Sequence, residues 1–367
     1  MPLPPSRPFL TRRTFVALAA PALIVRPAMA ATSVSIAGVG GWFQTAFEGV
    51  VLAAFRKAHP KISVFYTPVG NDFQNLALLR RQRANSPTDI VLLHTQVAAR
   101  ATSEGLLEPL SPKTMPVLND LVPQALIPNV AGPALMLDSL TLGYNPTQIN
   151  KMPQSWRDLW DTGYGSGIAL QTPPDPAALA MTAVAGALFG DKNLLHSLEL
   201  GLVALTQLAP RVVAWDPSPD IYTAIAQVDA QGDDQGKAQA KASIGPAWNA
   251  RALNQARLTP GHFTSHFPAE GSPVMATTIN LVNGAPQPAA ARTLIAWLLG
   301  ADAQRLLTEA LAYAPVNAKA KIPTALLQRV GATPDMVAKR IPMDWVVVDQ
   351  IRDQITREWR RRNLVGH

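Results

Sequence analysis

Apolar and polar positions change period repeatedly along the chain. Residues 33–37 (SVSIA) alternate with a period of two and predict a short strand. Residues 42–58 place Phe43, Phe47, Val50, Val51, Ala54 and Phe55 at helical spacing. A second strand is expected over 62–66, a helix over 73–82, a continuous apolar strand over 89–93 (DIVLL), and a helix over 97–104 that stops at Gly105. Strands that alternate with helices predict βαβ units and parallel sheet, whose buried strands read as apolar runs.

The pattern then repeats. Residues 135–144 (LMLDSLTLGY) form a long extended stretch, and Ser155 with Asp158 three residues on reads as a capping-box start. A second α/β set follows, with strands over 167–171, 212–215 and 242–244 and helices over 177–189, 193–208 and 221–228. Residues 274–281 (VMATTINL) are another long extended stretch, followed by helices over 288–299, 303–311 and 345–362. Two long extended stretches, each between α/β sets, predict an α/β fold of two lobes joined by crossing strands. A cleft between such lobes is a standard ligand position and closes about a hinge.

The first thirty residues change the picture. Arg7, Arg12 and Arg13 form a basic start, residues 14–25 are uncharged and mostly apolar, and Ala28-Met29-Ala30 offers an A-x-A cleavage site. The run Thr11-Arg12-Arg13-Thr14-Phe15-Val16 resembles the twin-arginine export motif, and Arg26 suits that route. The expectation is a signal peptide over 1–30, cleaved after Ala30, with the twin-arginine translocase as export partner and the periplasm as destination. The formal charge of +7 then falls to +3, because Arg7, Arg12, Arg13 and Arg26 leave with no acid. Residues 352–362 hold five Arg, one Asp and one Glu, so the rest of the mature chain is near neutral. The basic balance therefore gives no reason to expect nucleic acid.

Candidate chemistry is sparse. With no Cys among 367 residues, disulfides, thiol nucleophiles and Cys-ligated metals are excluded. Ser166 is fourth rather than third in Gly163-Tyr164-Gly165-Ser166-Gly167, so no nucleophile elbow forms, and there is no HExxH, Walker or GxGxxG pattern. His262 and His266 are four apart, but Gly261, Thr264 and Pro268 argue against one helix face holding a metal. No catalytic residue, metal or cofactor is expected. The turn at Gly38-Val39-Gly40-Gly41 could face an anion or simply reverse the chain.

Six landmarks occur in order: residues 104–110 (EGLLEPL), Gly143-Tyr144-Asn145-Pro146, residues 155–160 (SWRDLW), residues 247–252 (AWNARA), residues 283–291 (NGAPQPAAA), and residues 313–317 (YAPVN). Together these resemble bacterial periplasmic solute-binding proteins of ABC transporters, the spermidine/putrescine type most closely, over nearly all of 32–362. The resemblance implies a type II-like fold of two mixed-sheet lobes. Lobe one would take 31–138 plus 275–315, and lobe two 139–274 plus 316–367. It also implies a monomer that closes on a small organic solute and docks on an inner-membrane ABC permease.

Candidate cleft residues come from strand ends, where α/β sheets present ligand contacts. In lobe one they are Trp42, His94, Thr95 and Gln96; in lobe two, Gln171, Thr172, Asp220, Tyr222, Trp248, Asn249 and Arg251, with Ser218 beside them. In the resembled family the Trp-Asn motif lies at the cleft wall, where an indole could stack on a cation or an aliphatic chain, with core packing as the competing use for Trp248. Arg251 could pair a carboxylate or phosphonate, or serve a structural ion pair. A buried polyamine needs carboxylates, and only Asp175 and Asp220 lie near these loops. The five Tyr include no adjacent pair of the kind ferric-iron relatives use. A ligand sensor for a membrane receptor is the alternative reading, and a secreted hydrolase a weaker one.

Overall fold

The computed structural model describes residues 32–164, 167–226 and 242–364. The signal segment, Ser166 and part of the 221–228 helix lie outside the described residues. Ten strands are found among them: β1 (Thr32–Val39), β2 (Ile62–Val69), β3 (Ile90–His94), β4 (Leu107–Glu108), β5 (Ala134–Tyr144), β6 (Ile168–Leu170), β7 (Val212–Trp215), β8 (Ile244–Trp248), β9 (Thr264–His266) and β10 (Val274–Val282). Their main order is β2-β1-β3-β10-β5-β8-β6-β7. The β1–β2, β1–β3, β6–β7 and β6–β8 pairs are parallel, and β10 and β5 run antiparallel to their neighbours.

This topology explains the two lobes. The first half-sheet holds β2, β1 and β3, the second holds β8, β6 and β7, and β5 and β10 cross between them. Each half has its own core. Ile36, Phe47, Val64, Ile90, Leu135 and Leu294 belong to one cluster, and Leu142, Trp156, Ile168, Met181 and Trp359 to another. The C-terminal stretch contributes to both cores. Val316 and Val330 pack in the first cluster, and residues from Ile341 to Leu364 pack in the second. Gln304, a buried amide, ties Val316 to the first core. Its Oε1 accepts the Val316 N–H at 2.8 Å while its Nε2 donates to the Leu135 carbonyl at 3.0 Å.

Local rules hold where they were read. Helical residues run from Trp42 to Ala58, with a π-helical stretch over Phe47–Leu52. Ser155 and Asp158 form a reciprocal capping box, although the turn that follows is 3-10. The helix Pro176–Phe189 is apolar on nearly every side and accordingly buried nearly throughout. It packs closely on Leu194–Leu208, because a Cβ at Gly201 would sit 2.8 Å from the Gly186 nitrogen. Trp359 of the terminal helix Trp345–Arg361 closes this core, its indole N–H donating to Thr182 Oγ1 at 3.0 Å.

Candidate functional site

The carboxyl ends of the parallel strands bring the candidate residues together. Trp42 follows β1 and stacks on Tyr313, with ring centroids 6.4 Å apart and planes 12° apart. Tyr66 on β2 donates its hydroxyl proton to the Val39 carbonyl at 2.7 Å. His94 ends β3, and its Nδ1 lies 2.7 Å from Asp72 Oδ2, the same oxygen that accepts the His94 backbone N–H at 2.8 Å. Asp72 opens the helix Asp72–Arg81, whose N-cap is Asn71.

Electrostatics mark the pair as ionised. Burial would push the His94 imidazole down, but Asp72, with help from Asp138 and Asp175, raises it above 6.5. Burial would raise the Asp72 carboxyl, and the His94 charge and hydrogen bonds outweigh it and lower it.

Asp138 is the central group that the sequence reading missed. It lies on β5, half-buried, where the crossing strand passes between the lobes. Its Oδ1 accepts the Ala250 N–H at 3.1 Å, at the start of the helix Asn249–Leu258. Burial pushes its carboxyl up to about 7, against the lowering effect of backbone N–H donors and His94. Asp175 caps the helix Pro176–Phe189 through the Ala177 N–H at 2.7 Å. Burial raises its carboxyl as well, and neighbouring Asp216 adds to the rise.

Lobe two supplies the opposite wall. Asp216 accepts the Thr172 backbone N–H at 2.7 Å and its hydroxyl proton. Asp220 accepts the Thr223 N–H at 2.8 Å and holds Arg251 at 2.5 Å. The Arg251 guanidinium lies 4.8 Å from the Tyr222 ring centre, and the Tyr222 hydroxyl accepts the Trp248 N–H at 3.0 Å. Burial raises the Tyr222 and Tyr313 hydroxyls, and Asp138 raises both further. These shared fields join Tyr66, Asp72, His94, Asp138, Tyr313, Asp175, Tyr222 and Arg251 into one electrostatic neighbourhood, and Trp42 adjoins it through Tyr313.

Three expected cleft residues serve elsewhere. Thr95 is buried, and its hydroxyl donates to the Ala276 carbonyl at 3.3 Å, because the first helical residue after β3 turns back onto β10. Asn249 is buried, and its Nδ2 donates to the Arg329 carbonyl at 3.0 Å, tying two helices. Trp248 packs against Trp345, centroids 6.3 Å apart, and against the second core, which favours the packing reading. Gln96 and Gln171 each keep a buried Oε1 with no partner among the described residues. Asp72, Asp138 and Asp216 were missed because each reads locally as a turn or cap acid or as an isolated polar position. The signal for Asp138 was present, as the one acid in LMLDSLTLGY.

The family model for bacterial extracellular solute-binding proteins matches residues 51–332. A Salmonella typhimurium protein named for 2-aminoethylphosphonate binding in the periplasm is 26% identical over 300 residues, 78% of this chain and 80% of the relative. A Bradyrhizobium japonicum ABC transporter substrate-binding protein superposes with a TM-score of 0.73 at 19% identity, covering 90% of this chain and 99% of its own. A spermidine/putrescine ABC transporter substrate-binding protein from Streptococcus pneumoniae gives 0.71 at 16% identity, covering 91% and 99%. These structures share the two-lobed fold.

Proposed function

Because the chain belongs to the bacterial extracellular solute-binding protein family, we propose that it captures a small ammonium-bearing solute between its lobes and hands it to an inner-membrane ABC permease. The observation that carries the ligand class is the charge of the cleft. Asp72 is matched by His94 and Asp220 by Arg251. Among the described residues Asp138 and Asp175 have no side-chain cation in an ion pair with them, and burial raises both. A ligand ammonium supplies the missing charge and favours the ionised carboxylates. Trp42 and Tyr313 offer the aromatic surface that a cation or a short aliphatic stem accepts.

Arg251 shapes the other end. Its side chain is 49% exposed despite the Asp220 contact, so its free guanidinium edge can meet an anion. A zwitterion with separated ends, of the aminophosphonate or ω-amino acid kind, fits this arrangement better than a polyamine does. The ligand named for the Salmonella relative has that form.

Closure about β5 and β10 would bring the two walls onto the solute, and affinity for the closed state drives it. Export through the twin-arginine route, with cleavage after Ala30, places the mature chain in the periplasm. Replacing Arg12 and Arg13 by Lys is expected to retain precursor in the cytoplasm.

A thermal-shift comparison tests the ligand class. 2-Aminoethylphosphonate, 4-aminobutyrate and putrescine should raise the melting temperature, and their fully N-acetylated forms (both amines of putrescine) should not. Equal stabilisation by amine-free phosphonates or carboxylates would contradict the ammonium reading.

A further inference from the structure

A second cavity of about 860 Å³ lies behind the crossing strands. Its floor includes Leu137, Val274 and Ala276. The β5–β10 register pairs Ala276 with Leu137, Val274 with Ser139, and Met275 with Asp138. Side chains alternate across a sheet, so this floor is the face opposite Asp138. Leu126 and Ile127 form one wall, and Met343 and Trp345, ahead of and at the start of the terminal helix, form another. The volume falls in the range of small-molecule sites, roughly 300–1,000 Å³.

One group in this apolar cavity lacks a counterpart. Arg340 lines it, and its Nε is buried with no acceptor among the described residues. Among the described residues its Nη2 donates to the Gly331 carbonyl, at 3.4 Å. Burial lowers the Arg340 guanidinium from its usual value. Asp344, the acid that lines the same cavity, is engaged as a helix cap by the N–H groups of Val346 at 3.0 Å and Val347 at 3.2 Å. A half-buried guanidinium with one buried, unpaired nitrogen beside apolar side chains calls for an anion, and a carboxylate matches its fork.

We propose that this cavity binds a small amphiphilic carboxylate, its acid end on Arg340 and its hydrocarbon chain along Leu126, Leu137 and Ala276. The two sites then have opposite demands, a cation in front of the hinge and an anion behind it. The floor is the hinge itself, so an occupant biases the angle between lobes. Binding at either site then changes affinity at the other by the same factor.

Decanoate below its micelle concentration is the probe, with decanol and decylammonium as controls, read by calorimetry on the mature chain. Saturable 1:1 binding of decanoate is expected, with decanol and decylammonium about ten-fold weaker or more. Arg340→Gln should weaken decanoate by a similar factor and leave decanol unchanged. Leu126→Glu serves if Arg340→Gln fails to fold. Leu126 is 47% exposed, so the fold should tolerate the change, and its carboxylate should exclude decanoate. Equal affinities for decanoate and decanol, or decanoate binding indifferent to both substitutions, would overturn the assignment.

Discussion

The two faces of the crossing strands differ sharply although they share one backbone. In front, Asp138 stands beside His94, Tyr222 and Tyr313 in a field of acids. Behind, Leu137, Val274 and Ala276 line an apolar cavity with Arg340 at its side. The difference teaches that a period-two strand can serve two chemistries at the point where two lobes meet. It also predicts that neighbouring residues on β5 fail in different ways.

The largest effect should come from the rear face. Leu137 is 3% exposed, and Leu137→Ala should cost about 2–5 kcal/mol of stability, measured by urea unfolding, while solute affinity changes little. If affinity collapses with stability intact, the faces are not separable. On the front face, Asp138→Asn should lower affinity for an ammonium solute about 30-fold or more, read by calorimetry, without loss of melting temperature. An affinity within two-fold of wild type would remove Asp138 from the site.

Gly331 sharpens the contrast at the hinge. Its φ is +68°, and an added Cβ would meet the Phe267 ring at 2.6 Å and Ser139 Oγ at 3.0 Å. Gly331→Ala should therefore cost about 1–3 kcal/mol, again by urea unfolding. A neutral result would mean that the turn relaxes freely.

The smallest effect concerns Asp72 and His94. The carboxyl is lowered below 3.8, so its stabilisation is lost as pH falls through the folded value. The imidazole is raised above 6.5, so its contribution is complete below 6.5 and lost as pH rises through the folded value. Asp72→Asn should thus cost about 1 kcal/mol, most visibly between pH 3.8 and 6.5, and less at alkaline pH. A pH-independent cost would show that only the backbone hydrogen bond matters.

Periodicity made the fold legible. DIVLL and VMATTINL read as strands because buried strands are apolar runs, and the repeated α/β pattern carried the two lobes. The site was less legible because its acids come from four different contexts: a helix start at Asp72, a strand at Asp138, a cap at Asp175 and a turn at Asp216. Only the fold brings them together, which is why the polyamine objection drawn from Asp175 and Asp220 alone undercounted the carboxylates. The contacts of Thr95 and Asn249 were hidden for a related reason. A strand-to-helix junction rotates its side chain by a register that the sequence does not display, and both side chains found backbone carbonyls instead.

The most direct measurement is calorimetric titration of 2-aminoethylphosphonate across neutral pH, on wild type and Asp138→Asn in parallel. The Asp138 carboxyl is pushed up to about 7 by burial, and an ammonium requires it ionised. Wild-type affinity should therefore rise as pH climbs through about 7, with a proton released on binding below that point. The variant shares any titration of the phosphonate itself, so the difference between the two curves isolates Asp138. The variant should bind weakly and lack this component of the slope. Parallel curves of equal strength would contradict capture of the ammonium by Asp138.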